Sequence, residues 1–332
     1  MDSWLERLRA GGAKPVHERR VFVNWLGGRA LDARTSRGDA EYPAPLASAV
    51  ADLTRDLDAL AQVDSAHPGE DASERLLVRL ADGRSVETVR LPSASLCVST
   101  QIGCAVGCTF CMTGREGLMR NLTTPEIVAQ IALARRRGPV RRVVFMGMGE
   151  PAHNLERVLA SIDALVTWGG IGRKNLVIST VGDRRLFARL HERAVKPAVA
   201  LSLHTTNAAR RRELLPRAPG LDPDELVALA EEYAQASGIP TQYQWALLAG
   251  VNDGDDELVG IERLLTGRYG VINFIPWNRI DGVPYERPSL ERMRYMSQWL
   301  HQRGILAKLR RSAGQDVDGA CGQLRARGLV AS

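Results

Sequence analysis

The sequence predicts an α/β fold, with a parallel sheet covered by helices, a helical N-terminal region and a β-hairpin extension. Three observations carry this. From Leu96 onward, short apolar runs of strand length alternate with longer segments of helical period. Just before that region, Asp82-Gly83 divides a stretch of alternating apolar and polar residues into two halves, a hairpin signal. Residues 1–72 lack the alternation altogether and contain helical stretches ahead of a polar segment.

In chain order, "HERRVFVNWLGG" (17–28) and "PLASAVADLTRDLDALAQV" (45–63) read as short helices, and "DSAHPGEDAS" (64–73) as a polar linker. These place a small helical accessory domain at 1–72 and the main domain at 73–332. "ERLLVRLADGRSVETVRLP" (74–92) is the hairpin. Strands are expected at "LCVS" (96–99), "RVVFMG" (142–147), "LVIST" (176–180), "AVALSLH" (198–204), "YQWALL" (243–248) and "VINFIP" (271–276). The helices between them include 124–137, 154–168, 224–237 and 256–267, each opening near a Thr, Asn or Asp able to cap free N–H groups. Such a βα repeat buries a parallel sheet under helices. It forms a complete or partial (β/α) barrel, with chemistry at the C-terminal strand ends, or a flat doubly wound sheet.

Composition narrows the class. Hydrophobic residues make up 45% and charged residues 25%, as in an ordinary globular chain. No run approaches the ~20 apolar residues of a membrane span, and no apolar signal segment opens the chain, so a cytoplasmic protein without a membrane partner is expected. Clustered cysteines in that compartment point to metal or redox chemistry. The net charge of +6 and the basic stretches 134–142, 208–217 and 308–312 are compatible with an RNA partner, or equally with solvated helix ends.

Three of the five cysteines, Cys104, Cys108 and Cys111, lie in one loop after the first main-domain strand. A structural zinc site needs four N or S ligands, whereas no second cysteine pair is nearby and the nearest histidine is His153. Three thiolates can instead hold three irons of a [4Fe–4S] cluster and leave the fourth open.

This C-x3-C-x2-C loop resembles that of the radical S-adenosylmethionine (SAM) superfamily. The resemblance narrows through "CVSTQIGCAVGCTFCMTG", "GLMRNLT", "FMGMGEPAHN", "VISTVG", "LSLH", "GVND", "INFIPWN" and "DGACGQL", which stand in the order found in the RlmN/Cfr methyltransferases. It is closer to RlmN, and it covers nearly the whole chain. The chain departs from the family's usual pattern at Gln244, at Gln315 and in "LLPRAPGLDP". The resemblance implies a partial (β/α)6 radical SAM barrel. It further implies methylation of an adenosine of 23S ribosomal RNA at C2, with tRNA as a further substrate and Cfr-like C8 methylation as the alternative. A divergent enzyme on another substrate, a radical reaction without methyl transfer and a non-enzymatic iron–sulfur or RNA-binding module are the competing readings.

The same resemblance assigns the site. Cys104, Cys108 and Cys111 hold the cluster, whose open iron takes SAM. Gly149, Glu150, Ser179, Ser202, Leu203, His204 and Asn278 match SAM-contacting positions, and Glu150 offers a carboxylate to the SAM ammonium. Met146 and Met148 read as core residues. By themselves Cys97 and Cys321 read as two buried thiols; the resemblance makes them the mechanistic pair. Two SAM molecules serve each turnover. Cys321 takes a methyl group from the first, and the second supplies the radical that activates that methyl for addition to adenine. A glutamate matching Glu87 removes a proton from the adduct, although a hairpin glutamate is ordinarily solvated. Cys97 then forms a disulfide with Cys321 and releases the RNA. An external electron donor completes the set of partners.

Overall fold

A computed structural model describes residues 1–35, 41–310 and 313–325. Three helices come first: α1 (Asp2–Ala10), α2 (Pro15–Leu26) and α3 (Ala44–Leu60). They lead into β1 (Ala61–Pro68), β2 (Glu74–Leu80), β3 (Ser85–Leu91) and β4 (Ser95–Cys97). A ribbon of β5 (Gln101–Gly103) and β6 (Leu118–Asn121) brackets the three-cysteine loop. Then follow α4 (Thr124–Arg135), β7 (Arg142–Phe145), α5 (Leu155–Thr167), β8 (Leu176–Thr180), α6 (Arg184–His191) and β9 (Ala198–Ser202). The chain continues with α7 (Ala208–Leu214), α8 (Pro223–Ser237), β10 (Thr241–Leu247), α9 (Asp255–Leu265), β11 (Gly270–Pro276), α10 (Leu290–His301) and β12 (Ala307–Leu309).

The main sheet runs β1-β2-β3-β4-β7-β8-β9-β10-β11-β12. Pairing is antiparallel from β1 to β4 and parallel from β4 to β12. Strand order never reverses, so the sheet is singly wound, and the doubly wound alternative is excluded. Residues from β7, β8, β9, β10 and β11 line one common cavity, which a flat sheet could not enclose. The sheet ends at β1 and β12 without closing on itself. The architecture is therefore a partial barrel, six βα units carried by β4 and β7 to β11, with β12 as a short further parallel strand. The strands bury both faces, as the patterns of "LVIST" and "AVALS" show, because helices cover the outside and cavity-lining loops the inside.

The hairpin forms as expected, with Val78 opposite Val86 and Gly83 at a φ of +79° in its turn. Residues 64–73 are not a linker: their first half belongs to β1, which pairs with β2 from Ala61↔Leu80 to Pro68↔Glu74. Their polar composition suits a half-exposed edge strand, a distinction that composition alone does not draw. The capping expectation also needs correction. Thr123 caps α4 in a full capping box with Glu126, but Asn154 and Asp222 make no side-chain cap. Asn154 instead donates to the carbonyls of Thr100 and Leu122, tying the loop after β7 to the start of the cysteine ribbon.

One continuous hydrophobic core joins the N-terminal helices to the barrel. Phe22 of α2 is fully buried and stacks on Trp168 beyond α5, with ring centroids 4.6 Å apart. Arg135, from a basic stretch, donates to the carbonyls of Leu26, Val140 and Gly169, locking α2 to α4 and α5. Arg136 and Arg137 pair with Asp58 and Glu74. Most of that basic stretch is thus internal stitching rather than RNA surface. Phe22→Ala should cost about 3–5 kcal/mol, the range for an emptied aromatic core site, measured as the shift in denaturant unfolding.

Candidate active site

A second, smaller apolar cluster of Val106, Phe110, Val181, Leu214, Leu215, Ala246, Leu248, Trp277 and Ile280 gathers at the C-terminal ends of the strands. The three loop cysteines pack against it. Two glycines let the loop fold there. Gly103 has a φ of +75°, and a Cβ on it would lie 2.0 Å from the Gly117 carbonyl; Cys104 N–H donates to that carbonyl at 2.9 Å. Gly107, at +65°, lies under the Arg217 guanidinium.

Cys104, Cys108 and Cys111 line one cavity with Gly149, Glu150, Ser179, Ser202, His204, Asn278 and Cys321. These ten expected residues come from six segments of the chain. Leu203 is the exception among the expected SAM contacts. Its side chain is fully buried in the core because strand alternation turns Ser202 and His204 inward and Leu203 outward. Met146 also departs from expectation: it is half-buried and faces the cavity, whereas Met148 is a core residue as read. Phe110, Thr113 and Trp277 line the cavity as well and carried no sequence signal beyond adjacency to motif residues, and Gln244, singled out only as a departure from the family's pattern, lines it too.

Burial raises every loop thiol. Cys104 is pushed up to about 11, Cys108 well above the ordinary range, and Cys111 upward despite hydrogen bonds from Thr113. Protonated thiols crowded in an apolar corner are what a metal centre replaces, since its ligands bind as thiolates and release protons. Among the described residues, no three His, Cys, Asp or Glu side chains are arranged around a single ion. A [4Fe–4S] cluster places each thiolate on its own iron, so three cysteines along one cavity wall fit it better than a zinc ion.

Glu150 is 5% exposed, and burial raises its pKa. The Ala152 and Val181 N–H groups donate to its two oxygens, each at 3.0 Å. Gly149, at a φ of +101°, passes so close to Gln101 that a Cβ would meet that side chain at 2.5 Å. A buried carboxylate aimed by backbone amides suits an ammonium ligand.

His204 has a left-handed backbone (φ +62°), and its Nδ1 accepts the Ala246 N–H at 3.0 Å, which makes Nε2 the protonated nitrogen. Burial, reinforced by Arg211, pushes its pKa down to about 3, so the imidazole is neutral near pH 7. Arg211 was grouped with the surface-basic stretches, but it is 3% exposed. It donates to the carbonyls of Val181, Ser202 and Leu203, fixing the turn that presents His204. Burial lowers it to about 10, with Cys108 and Glu150 opposing.

Cys321 lies on a C-terminal strap held from three sides. Gly322 O accepts Met112 N–H at 2.7 Å, and Leu324 O accepts Thr113 Oγ1 at 2.6 Å. Asn278 donates to Cys321 O at 3.0 Å, so the expected SAM contact also holds the strap. Arg325 N–H donates to Glu87 at 2.8 Å. Cys321 and Gly322, with Cys111, Thr113, Met146, Gly147, Gln244 and Ile275, also line a second cavity of about 690 Å³. Cys97 lines this second cavity from β4. Burial raises the Cys97 thiol and the neighbouring Cys321 adds to the rise; Cys321 is exposed rather than the buried thiol expected, and desolvation by the cavity walls raises it while Arg310 opposes.

Two expectations change here. Glu87 is not a solvated hairpin residue but is 1% exposed, ion-paired to Arg75, and it lines neither cavity. All five cysteines are free, so a standing disulfide between Cys97 and Cys321 is not part of this fold. Arg311 and Ser312 of the last basic stretch lie outside the described residues.

Comparison with known proteins agrees with this geometry. Residues 98–260 match the model of the radical SAM superfamily. A probable RNA methyltransferase of Aromatoleum aromaticum is 62% identical over 332 residues, covering 100% of this chain and 93% of the relative. One from Pseudomonas aeruginosa is 57% identical, covering 97% of this chain and 94% of its own. The crystal structure of a radical SAM methyltransferase from Sphaerobacter thermophilus superposes with a TM-score of 0.85 at 34% identity, over 97% of this chain and 96% of that one.

Two outcomes test the site. Gly103→Ala should destabilise the chain by about 2 kcal/mol or more and prevent iron loading, read by denaturation and iron content. For His204, the unfolded chain takes a proton before the folded one does. Its contribution is therefore full above about pH 6.5 and lost as pH falls toward about 3. His204→Asn, which suits the left-handed backbone, should flatten the decline in unfolding free energy between those limits.

Proposed function

We propose, from the premise that the chain belongs to the radical SAM methyltransferase family, that it methylates an adenosine of RNA through an S-methylcysteine at Cys321. The favoured product is 2-methyladenosine in 23S rRNA, with a tRNA adenosine as a second substrate. The single observation that carries this reading is the position of Cys321 on the wall common to both cavities. One cavity gathers the expected cluster and SAM residues, and the other has room for a base.

In this reading Cys104, Cys108 and Cys111 hold the cluster, and Glu150, with Ser179, Ser202, His204 and Asn278, surrounds SAM. When bound, these groups supply the methyl group and the carbon radical. Every remaining task falls to the chain. Cys321 carries the methyl group from the cofactor side to the substrate side, since adenine C2 is too weak a nucleophile to take it directly. Neutral His204 and the apolar cluster beneath the cysteines keep water from the reacting carbon. Cys97 resolves the link between Cys321 and RNA. Its sulfur bonds to that of Cys321 as the S–C bond breaks, and the electron pair left on the methylene takes a proton to complete the methyl. That sulfur–sulfur bond belongs to turnover, not to the resting fold. Glu87, whose carboxylate is held by Arg75 and by the strap backbone, is assigned removal of the adduct's proton.

The test uses anaerobically loaded protein, methyl-labelled SAM, and separate 23S and tRNA transcripts, read by nucleoside mass spectrometry. Labelled 2-methyladenosine is expected, with none from Cys321→Ala and a persistent protein–RNA adduct from Cys97→Ala. A fully active Cys321→Ala protein would overturn the mechanism. A labelled 8-methyladenosine would move the regiochemistry to C8.

A further inference from the structure

Glu150 is aimed by more than the amides on its own carboxylate. The chain leaves Gly149 against Gln101 of β5, where a Cβ on Gly149 would meet the Gln101 Cβ and Cγ at 2.5 and 2.6 Å. This close passage buries the Glu150 N–H, and a buried N–H needs an acceptor. Gln101 Oε1 accepts it at 2.8 Å. Gln101 is itself fully buried and lines neither cavity, so it acts on the site only through what it holds.

The other end of the Gln101 carboxamide is engaged as well. With Oε1 turned to Glu150, Nε2 donates to Asn121 Oδ1 of β6 at 2.7 Å. Asn121 Nδ2 in turn donates to the His153 carbonyl at 3.1 Å. Each donor faces an acceptor, so both amide orientations are fixed. The relay grips both ends of the turn from Glu150 to His153, which is closed by its own hydrogen bond. β5 and β6 are also the strands that bracket the cysteine loop, and Cys104 stands three residues after Gln101. Burial leads the rise of the Cys104 and Cys108 thiols, and the Glu150 charge adds to it, so Glu150 is in electrostatic reach of both.

The relay is uncharged, and that suits its place. A carboxylate at 101 would set a second anion beside Glu150, whose charged form burial already disfavours. A carboxamide holds the backbone and leaves Glu150 the one carboxylate lining the cluster-side cavity among the described residues.

We propose that Gln101 is a positioning residue for SAM. It fixes the Glu150 backbone against the cysteine ribbon and so sets the carboxylate where the SAM ammonium is received, while Asn121 holds Gln101 in the orientation this requires. The assignment rests on the reading of Glu150 above and extends it to two residues outside the cavity. A ligand shared between the cluster and Glu150 tolerates little play between them, and the relay ties both to one ribbon.

The test uses two nucleosides on the cluster-loaded protein: S-adenosylhomocysteine, which carries the amino-acid tail, and methylthioadenosine, which lacks it. Their binding is measured by calorimetry, with iron content and thermal midpoint alongside. Gln101→Leu should weaken S-adenosylhomocysteine about tenfold and leave methylthioadenosine and iron content unchanged. Asn121→Leu should show the same selective loss at about threefold. The midpoint of Gln101→Leu should fall, because the Glu150 N–H loses its acceptor, but a purely structural role would weaken both nucleosides together. An equal loss for both, or no loss for either, overturns the proposal. Should Gln101→Leu fail to load iron, Asn121→Leu decides on the same outcomes. Glu150→Gln separates the proposal from the reading beneath it. If that variant keeps the parent's preference for S-adenosylhomocysteine, Glu150 does not receive the ammonium and both fall. If it loses the preference while Gln101→Leu and Asn121→Leu keep it, the reading of Glu150 stands and the positioning role fails.

Discussion

The site depends on a few hydrogen bonds that lay the C-terminal strap across the open barrel. The Gly322 carbonyl is fastened to Met112, the Leu324 carbonyl to Thr113, and the Cys321 carbonyl to Asn278. Each bond uses backbone of the strap, so the Cys321 side chain is left free to face the cavities. Gly322, at a φ of +88°, makes the required turn. Because Met112 and Thr113 directly follow Cys111, the strap and the cysteine loop form one unit. The thiol that would carry carbon is thereby positioned by the same segment that would hold the cluster. Farther along, Glu70 and Gly314 exchange contacts with Asp316 and Asp71, joining the strap to the turn after β1.

The second constraint is desolvation. Cys104, Cys108, Cys111, Cys97, Cys321 and Glu150 all have raised pKa values, and burial is the leading cause at each. His204 and Arg211 are lowered for the same reason. A site of this kind carries little charge until its cofactors bring it. In the proposed reading charge would then enter in compensating pairs, thiolates with iron and a glutamate with an ammonium. The low dielectric that makes each unpaired group costly also strengthens each pair once formed.

Much of this was legible in the residues, and the limits have physical causes. The three-cysteine loop is local in sequence, so its spacing alone exposed the cluster motif. The βα alternation gave the six main strands, but strand order was needed to separate a partial barrel from a doubly wound sheet. The strand at 61–68 was hidden because an edge strand tolerates the Asp, Ser, His and Pro that also mark turns. Leu203 was placed in the site by its motif, while alternation along the strand sends its side chain into the core. Glu87 looked exposed because only tertiary packing brings Arg75 and the strap onto it. Arg211 could not be told apart from its basic neighbours. Whether an arginine finds a carbonyl or a carboxylate is decided by segments far away in the chain.

The central claim is that Cys321 receives the methyl group before the substrate does. Its most direct test is peptide mass spectrometry of the cluster-loaded protein after incubation with methyl-labelled SAM in the absence of RNA. One labelled methyl group is expected on the peptide containing Cys321, lost on subsequent addition of RNA under reducing conditions. An unmodified Cys321 in protein that nevertheless methylates RNA would contradict it.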